Sequence, residues 1–194
     1  MKFSLVRSLV HGFYCVMFNI KVEGLENIPT GCGVMITPNH TSNWDPALIG
    51  GIYPGKVHFM AKAELFKNKL FGALLKALGA FPIARGDVDL DAIKKAIKLL
   101  RNNETVIIFP HGRRIGQGED VPIKEGAVMI ALRSRVKIVP VYISGEYKFR
   151  HKIIVRFGEA VDYSEYAGSK VSVEKQRELS DELWGKMKAL RAEN

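Results

Sequence analysis

The alternation of short apolar runs with longer amphipathic stretches is the feature that most constrains how this chain can fold. Short runs rich in Val, Ile and Phe predict buried strands at residues 34–38, 57–61, 105–109, 138–143 and 152–157. Apolar residues at helical spacing predict helices at 64–78, 89–101 and 171–190. Strand–helix alternation in a chain of 194 residues predicts a single α/β domain with a mostly parallel central β-sheet flanked by helices.

The charge balance limits the class of partner. The chain has 29 Lys and Arg against 20 Asp and Glu, a formal net charge of +9. Such a surplus favours nucleic acid, an anionic membrane or a phosphorylated substrate. Zinc-finger spacing and a basic–aromatic stripe are both missing from the sequence, so we expect no nucleic-acid partner. The two cysteines, Cys15 and Cys32, match neither a disulfide scaffold nor a metal-ligand pattern.

The N-terminal segment is apolar but short. Residues 8–20 carry no Asp, Glu, Lys or Arg, and Lys2 and Arg7 precede them. The run is shorter than the roughly 20 residues of a spanning helix, and no signal-peptidase site follows it. Two interpretations stay open at this point. The segment packs on the domain, or it lies in one membrane leaflet with its basic residues at the lipid headgroups.

A polar block, Asn39-His-Thr-Ser-Asn-Trp-Asp-Pro46, directly follows the predicted strand 34–38. In parallel α/β sheets, active groups lie in the loops that follow the strands. Pro46 suits a first helical turn, so His40 falls in the loop and Asp45 near the start of a helix. Asp45 can then accept from one imidazole nitrogen of His40 and leave the other as a general base. From these residues alone, simple capping of the helix is the alternative.

This block resembles Asn-His-x-Ser-x-x-Asp-Pro, the first conserved block of the lysophosphatidate (1-acylglycerol-3-phosphate) acyltransferase family, a group of glycerolipid acyltransferases. The match covers Asn39, His40, Ser42, Asp45 and Pro46. The resemblance implies that His40 is the catalytic base and that Asp45 holds it.

Two further blocks extend the resemblance. The chain has Ala-Lys-Ala-Glu-Leu at 61–65 and Gly-Ala-Phe-Pro-Ile-Ala-Arg at 79–85, where the family has Ala-Lys-x-Glu-Leu and Gly-x-x-Phe-x-x-Arg. They imply that Arg85, helped by Lys62, contacts the phosphate of the acceptor. An Arg guanidinium suits that role because its planar donors match phosphate oxygens.

The third family block is Phe-Pro-Glu-Gly-Thr-Arg, and this chain departs from it. Residues 109–114 read Phe-Pro-His-Gly-Arg-Arg, so His111 replaces the Glu and Arg113 replaces the Thr. A neutral imidazole accepts one hydrogen bond but supplies no carboxylate. The departure keeps two alternatives open: an acyltransferase for a different lysophospholipid acceptor, or a catalytically weak lipid-binding relative.

The resemblance, which spans about residues 22–157, implies a glycerol-3-phosphate acyltransferase-like fold and a reaction. A fatty acyl group passes from acyl-CoA or acyl-carrier protein to the sn-2 hydroxyl of lysophosphatidic acid, which gives phosphatidic acid. No metal or bound organic cofactor is implied. His40 and Asp45 are the expected catalytic residues. The expected substrate-binding residues are Asn39, Ser42, Lys62, Arg85, His111, Gly112 and Arg114.

Amphipathic substrates favour the membrane interpretation of the N-terminus. We therefore expect residues 1–20 to be an amphipathic membrane-anchoring helix and residues 21–194 to be the acyltransferase domain. The helical stretch 65–78 is a candidate second contact, with burial in the core as the alternative. The protein is expected on the cytoplasmic face of a bacterial cell membrane, where its net charge suits anionic lipids.

Overall fold

The computed structural model describes residues 2–84, 89–167 and 171–191, without the side chains of residues 2–6 and of Phe71. Its strands are β1 (Asn19–Glu23), β2 (Val34–Pro38), β3 (Val57–Lys62), β4 (Ala80–Ile83), β5 (Thr105–Ile107), β6 (Lys137–Ser144) and β7 (Lys152–Phe157). Its α-helices are α1 (Lys2–Met17), α2 (Asp45–Ile52), α3 (Lys69–Ala77), α4 (Leu90–Arg101), α5 (Gly126–Ser134) and α6 (Val173–Ala189). Short 3₁₀ turns lie at Leu25–Asn27, Ala63–Phe66 and Ser164–Tyr166.

All seven strands form one sheet in the order β1-β7-β6-β2-β5-β3-β4. Neighbouring strands are parallel except for the antiparallel pair β6–β7. The predicted single α/β domain with a mostly parallel sheet is therefore confirmed. Because β2 lies between β6 and β5 and runs parallel to both, the carboxyl ends of these three strands meet at one edge of the sheet.

Helices cover both faces of the sheet, as a parallel sheet requires. One core layer packs α4, α5 and α6 against the sheet, and the other packs α1, α2 and α3. Side chains of β2 alternate between the layers: Met35 points into the first, and Val34 and Ile36 into the second. The central strand is therefore buried on both sides, which explains its uninterrupted apolar sequence.

The predicted strands match the structure best in the centre of the sheet. β2 and β7 have the predicted bounds, whereas β5 ends at Ile107, two residues early, where the chain turns toward the 109–114 block. The edge strand β4 and the short strand β1 were not predicted. The predicted helix 64–78 is divided, because Lys67 N–H closes a 3₁₀ turn on Glu64 before α3 begins.

The predicted 1–20 segment divides between a helix and the sheet. α1 ends at Met17, and Asn19 and Ile20 belong to β1, where they pair with β7. α1 buries Tyr14 against α2 and leaves Leu9, Phe13 and Val16 exposed. Within the described residues, no helix combines the length and apolar character needed to cross a membrane.

Candidate active site

Three loops meet at the carboxyl edge of the sheet, one after each of β2, β5 and β6. Ile115 N–H donates to the backbone oxygen of His40 over 2.8 Å, which joins the first loop to the second. The Gln117 side-chain amide donates to the backbone oxygen of Gly145 over 2.7 Å, which joins the second to the third. The topology of the sheet therefore assembles one site from distant parts of the chain.

His40 and Asp45 form the expected pair. His40 Nδ1 donates to Asp45 Oδ2 over 2.8 Å, and the backbone N–H groups of Thr41 and Ser42 donate to the same oxygen over 2.7 Å each. Asp45 is the first residue of α2 and is fully buried, so its carboxylate also lies at the positive end of the helix dipole. This local geometry follows from the five-residue spacing and from Pro46 in the first helical turn.

The orientation of His40 leaves one ring nitrogen available. Since Nδ1 donates to a carboxylate, Nε2 carries the lone pair, and it makes no hydrogen bond within the described residues. The ring packs on Phe109 with centroids 4.3 Å apart, and the side chain stays 16% exposed. A fixed imidazole with an accessible acceptor nitrogen can take a proton from a bound hydroxyl group.

Tyr147, in the loop between β6 and β7, completes the surroundings of Asp45 and was missed by the sequence analysis. Its hydroxyl donates to Asp45 Oδ1 over 2.6 Å. Burial, together with the nearby Asp45 charge, raises the pKa of Tyr147, which therefore stays protonated and acts as a donor. The one available signal was its place three residues after a strand that neighbours β2.

The structure places Asn39, a predicted substrate-binding residue, in the interior. Its side chain is fully buried, and both amide atoms are occupied by the backbone of Ile143 in β6, over 3.0 Å and 2.7 Å. Asn39 therefore attaches the His40 loop to the adjacent strand. An amide suits this position because it can donate and accept at the same time.

The structure also places His111, another predicted substrate-binding residue, in the interior. The side chain points into the core, is only 2% exposed, and packs edge-on against Trp184 of α6. Nε2 donates to the backbone oxygen of Val121 over 3.1 Å, while Nδ1 is buried without a partner among the described residues. Burial lowers the pKa of His111, which keeps the ring neutral. An ionised carboxylate could not donate to the Val121 oxygen as this imidazole does.

The remaining predicted substrate-binding residues differ in whether their polar groups are free to contact a substrate. Gly112 adopts a left-handed turn (φ 67°), and its N–H donates to the backbone oxygen of Phe109. This N–H is therefore not free to donate to a substrate oxygen. The Ser42 hydroxyl accepts from Trp44 N–H over 3.3 Å. Lys62, at the end of β3, and Arg114 are exposed and have no ion pair within the described residues. Arg85 lies outside the described residues.

A separate groove of about 550 Å³ lies between the segment 158–166 and α6. None of the predicted site residues lines it. Its charged lining residues are mostly acidic: Glu159, Asp162, Glu165, Glu178 and Glu182, against Lys175 and Lys186. An anionic substrate is therefore expected at the His40 edge and not in this groove.

Comparison with known proteins identifies the family. The acyltransferase family model matches residues 19–144, so the chain belongs to the acyltransferase family and is an enzyme. The resemblance found in the sequence is thereby confirmed, and the matched region begins at β1 and ends with β6.

Individual relatives within this family share a named activity. A Bacillus subtilis protein named 1-acyl-sn-glycerol-3-phosphate acyltransferase is 39% identical over 154 residues, which cover 76% of each chain. A Streptococcus pneumoniae protein of the same name is 35% identical over 139 residues, 68% of this chain and 51% of that protein. The crystal structure of the 1-acyl-sn-glycerophosphate (LPA) acyltransferase PlsC from Thermotoga maritima superposes with a TM-score of 0.74. It is 26% identical, and the match covers 98% of this chain and 81% of that one.

Proposed function

We propose that this chain is a 1-acyl-sn-glycerol-3-phosphate acyltransferase that uses His40 as its general base. The acyl donor is acyl-CoA or acyl-carrier protein, and the acceptor is the sn-2 hydroxyl of lysophosphatidic acid. The observation that carries this proposal is the His40–Asp45 pair, in which the buried carboxylate fixes Nδ1 and leaves Nε2 at the open edge of the sheet. The printed names of the relatives supply the acceptor.

The reaction follows from this geometry. His40 Nε2 takes the proton of the acceptor hydroxyl as its oxygen attacks the carbonyl carbon of the thioester. Asp45 stabilises the imidazolium that forms. The tetrahedral intermediate then collapses, the carbon–sulfur bond breaks, and the departing thiolate takes the proton from the imidazolium. The products are the new ester and a free thiol, and His40 is neutral again.

Exposed cations at the same edge of the sheet suit the phosphate of the acceptor. Lys62 is the last residue of β3, and Arg114 lies in the loop after β5, the strand beside β3. Each charge can make a charge-assisted hydrogen bond to phosphate, and the Arg guanidinium can make two. Arg85 joins this set on the basis of the family resemblance alone.

We place the enzyme at the cytoplasmic face of a bacterial membrane through an apolar face, which consists of Leu9, Phe13, Val16, Leu70 and Leu74. Helices α1 and α3, which carry these side chains, contact each other. Leu9 and Val16 are 66% and 67% exposed, and Leu70 is 86% exposed. Three exposed lysines belong to the same region: Lys67, Lys69 and Lys76. Apolar side chains beside basic ones suit an anionic lipid surface.

Acyl transfer to lysophosphatidic acid, from acyl-CoA and from acyl-carrier protein in parallel, tests the proposal. We expect phosphatidic acid from the wild-type protein and a loss of at least about 100-fold in kcat for His40→Ala. His58→Gln is the matched control, because His58 lies near the start of β3 and Gln retains a donor to Glu104. A His40→Ala variant that is folded and fully active would contradict the role of His40.

A panel of other lysophospholipids tests the alternative acceptors. Arg113 is exposed and replaces the family Thr, which is the reason for testing other acceptors. The Arg113→Thr variant measures whether this residue sets the preference among lysophospholipid acceptors. Transfer to another lysophospholipid and not to lysophosphatidic acid would reassign the acceptor. A folded wild-type protein that binds vesicles and transfers to no acceptor would be a lipid-binding relative, and the proposal would fail.

A further inference from the structure

The carboxylate of Asp45 is held at both oxygens. Oδ2 receives three donors, which are His40 Nδ1 and the N–H groups of Thr41 and Ser42. Oδ1 receives one donor, the hydroxyl of Tyr147, over 2.6 Å. The Asp45 side chain is fully buried, so solvent water cannot reach Oδ1 and donate in place of Tyr147. The orientation of the carboxylate therefore depends on a residue 102 positions away in the sequence.

The Tyr147 ring is itself held in place. Phe18 packs edge-on against it with ring centroids 5.4 Å apart. Gln117 donates to the backbone of Gly145, two residues before Tyr147, and so secures the loop that carries the ring. The hydroxyl is thus presented to Oδ1 by fixed surroundings.

We propose that Tyr147 is a positioning residue for the acyl-transfer reaction, acting on His40 through its hydrogen bond to Asp45. This inference rests on the proposed function and deepens it. The Tyr147 hydroxyl aligns the carboxylate so that Oδ2 faces Nδ1, and it withdraws part of the negative charge from the pair. Both effects concern the orientation and basicity of His40 and leave the binding of acceptor and donor unchanged.

Tyr147→Phe removes only the hydroxyl group. We expect kcat to fall by about tenfold to a hundredfold, the usual effect of one hydrogen bond to a buried charge, with an unchanged KM for the acceptor. The acidic limb of the pH–rate profile moves to higher pH, because a carboxylate with fewer donors holds the imidazolium form more strongly. Tyr163→Phe is the matched control: Tyr163 is also buried, and its hydroxyl donates to the Leu179 backbone in the other core layer.

A double-mutant cycle with Asp45→Asn separates positioning from general destabilisation. If Tyr147 acts through Asp45, Tyr147→Phe changes the residual kcat of Asp45→Asn by less than about twofold. Full additivity of the two changes would overturn the inference, as would a Tyr147→Phe enzyme with wild-type kcat and pH profile. Should Tyr147→Phe fail to fold, Gln117→Ala loosens the same loop from an exposed position, and an unchanged kcat would overturn the inference.

NMR titration of the His40 ring distinguishes failure of this inference from failure of the proposed function. The measurement needs no turnover, so it applies even if no acceptor is found. We expect the midpoint to move to higher pH in Tyr147→Phe and to stay in place in Tyr163→Phe. An unmoved midpoint in Tyr147→Phe would overturn the positioning role, whereas an inactive wild-type enzyme with a moved midpoint would overturn only the assigned reaction.

Discussion

Individual residues of the third block show how a departure from the family pattern is accommodated. His111 lies where the family has Glu, yet its ring is a core side chain that contacts Trp184 and donates to Val121. The change therefore alters the packing beneath the 109–114 loop and not its exposed surface. Arg113, in contrast, is exposed, and its Nη2 lies 3.9 Å from Glu119 Oε1. It is therefore the substituted residue that can contact an acceptor in solution.

The buried His111 makes stability depend on pH. Its pKa is lowered by burial, so at mildly acidic pH the unfolded chain binds a proton that the folded protein excludes. The contribution of neutral His111 to the free energy of unfolding is therefore fully present above pH 6.5, the pKa of histidine in the unfolded chain. It decreases as the pH falls below that value. We expect His111→Gln, which can keep the donor to Val121, to reduce the loss in the free energy of unfolding between about pH 7 and pH 5.

Urea denaturation at several pH values measures this effect. The greatest slope that one histidine can contribute is about 1.4 kcal/mol per pH unit. His11→Gln is the control, because His11 is exposed on α1 and its replacement should preserve the wild-type pH dependence. Equal slopes for His111→Gln and wild type would show that proton exclusion at His111 does not contribute.

At the scale of elements, α1 has a buried face and an exposed apolar face. Tyr14 faces inward, where its hydroxyl donates to the Trp44 backbone oxygen beside Asp45, and Phe18, just after the helix, packs against Tyr147. The outward face exposes Leu9 and Val16. Deleting residues 1–20 would remove core side chains and part of β1 together with the α1 part of the apolar face. Point substitutions on the outward face therefore test membrane contact more cleanly than a deletion.

The double substitution of Leu9→Asp with Val16→Asp tests the apolar face. We expect sedimentation with anionic vesicles to weaken by more than tenfold, because each buried aliphatic side chain contributes about 1.5–3 kcal/mol and the new charges oppose insertion. The melting temperature should not change, since both positions are exposed. Val173→Asp is the matched control: Val173 is 70% exposed on α6, which packs on the other face of the sheet. Unchanged sedimentation of the double variant would contradict the proposed contact.

At the scale of the whole molecule, the net charge of +9 adds a long-range attraction to anionic lipid. We expect the fraction bound to anionic vesicles to fall steeply as salt rises from about 0.1 M, where the screening length is about 10 Å. Vesicles of neutral lipid serve as the comparison and should bind less protein at low salt. Binding that is insensitive to salt and equal on both lipids would assign membrane contact to the apolar face alone.

The local parts of the fold and site were predictable from sequence. The central strands read as apolar runs because both of their faces are buried. His40 and Asp45 meet because only a short loop separates His40 from the first residue of α2. The edge strand β4 was missed because it is short and only partly buried, and β1 because it continues an apolar N-terminal run.

Tertiary structure alone decided the contacts between distant segments. Asn39 pairs with Ile143, Tyr147 with Asp45, and His111 with Trp184, and each pair depends on the order of strands and the docking of helices. Local spacing carries no information about strand order, because a parallel strand can pair with any neighbour that a crossover reaches. The sequence by itself therefore predicted the His40–Asp45 contact, because the two residues are close along the chain. The packing of the sheet determined which residues hold that pair in place and which face the core.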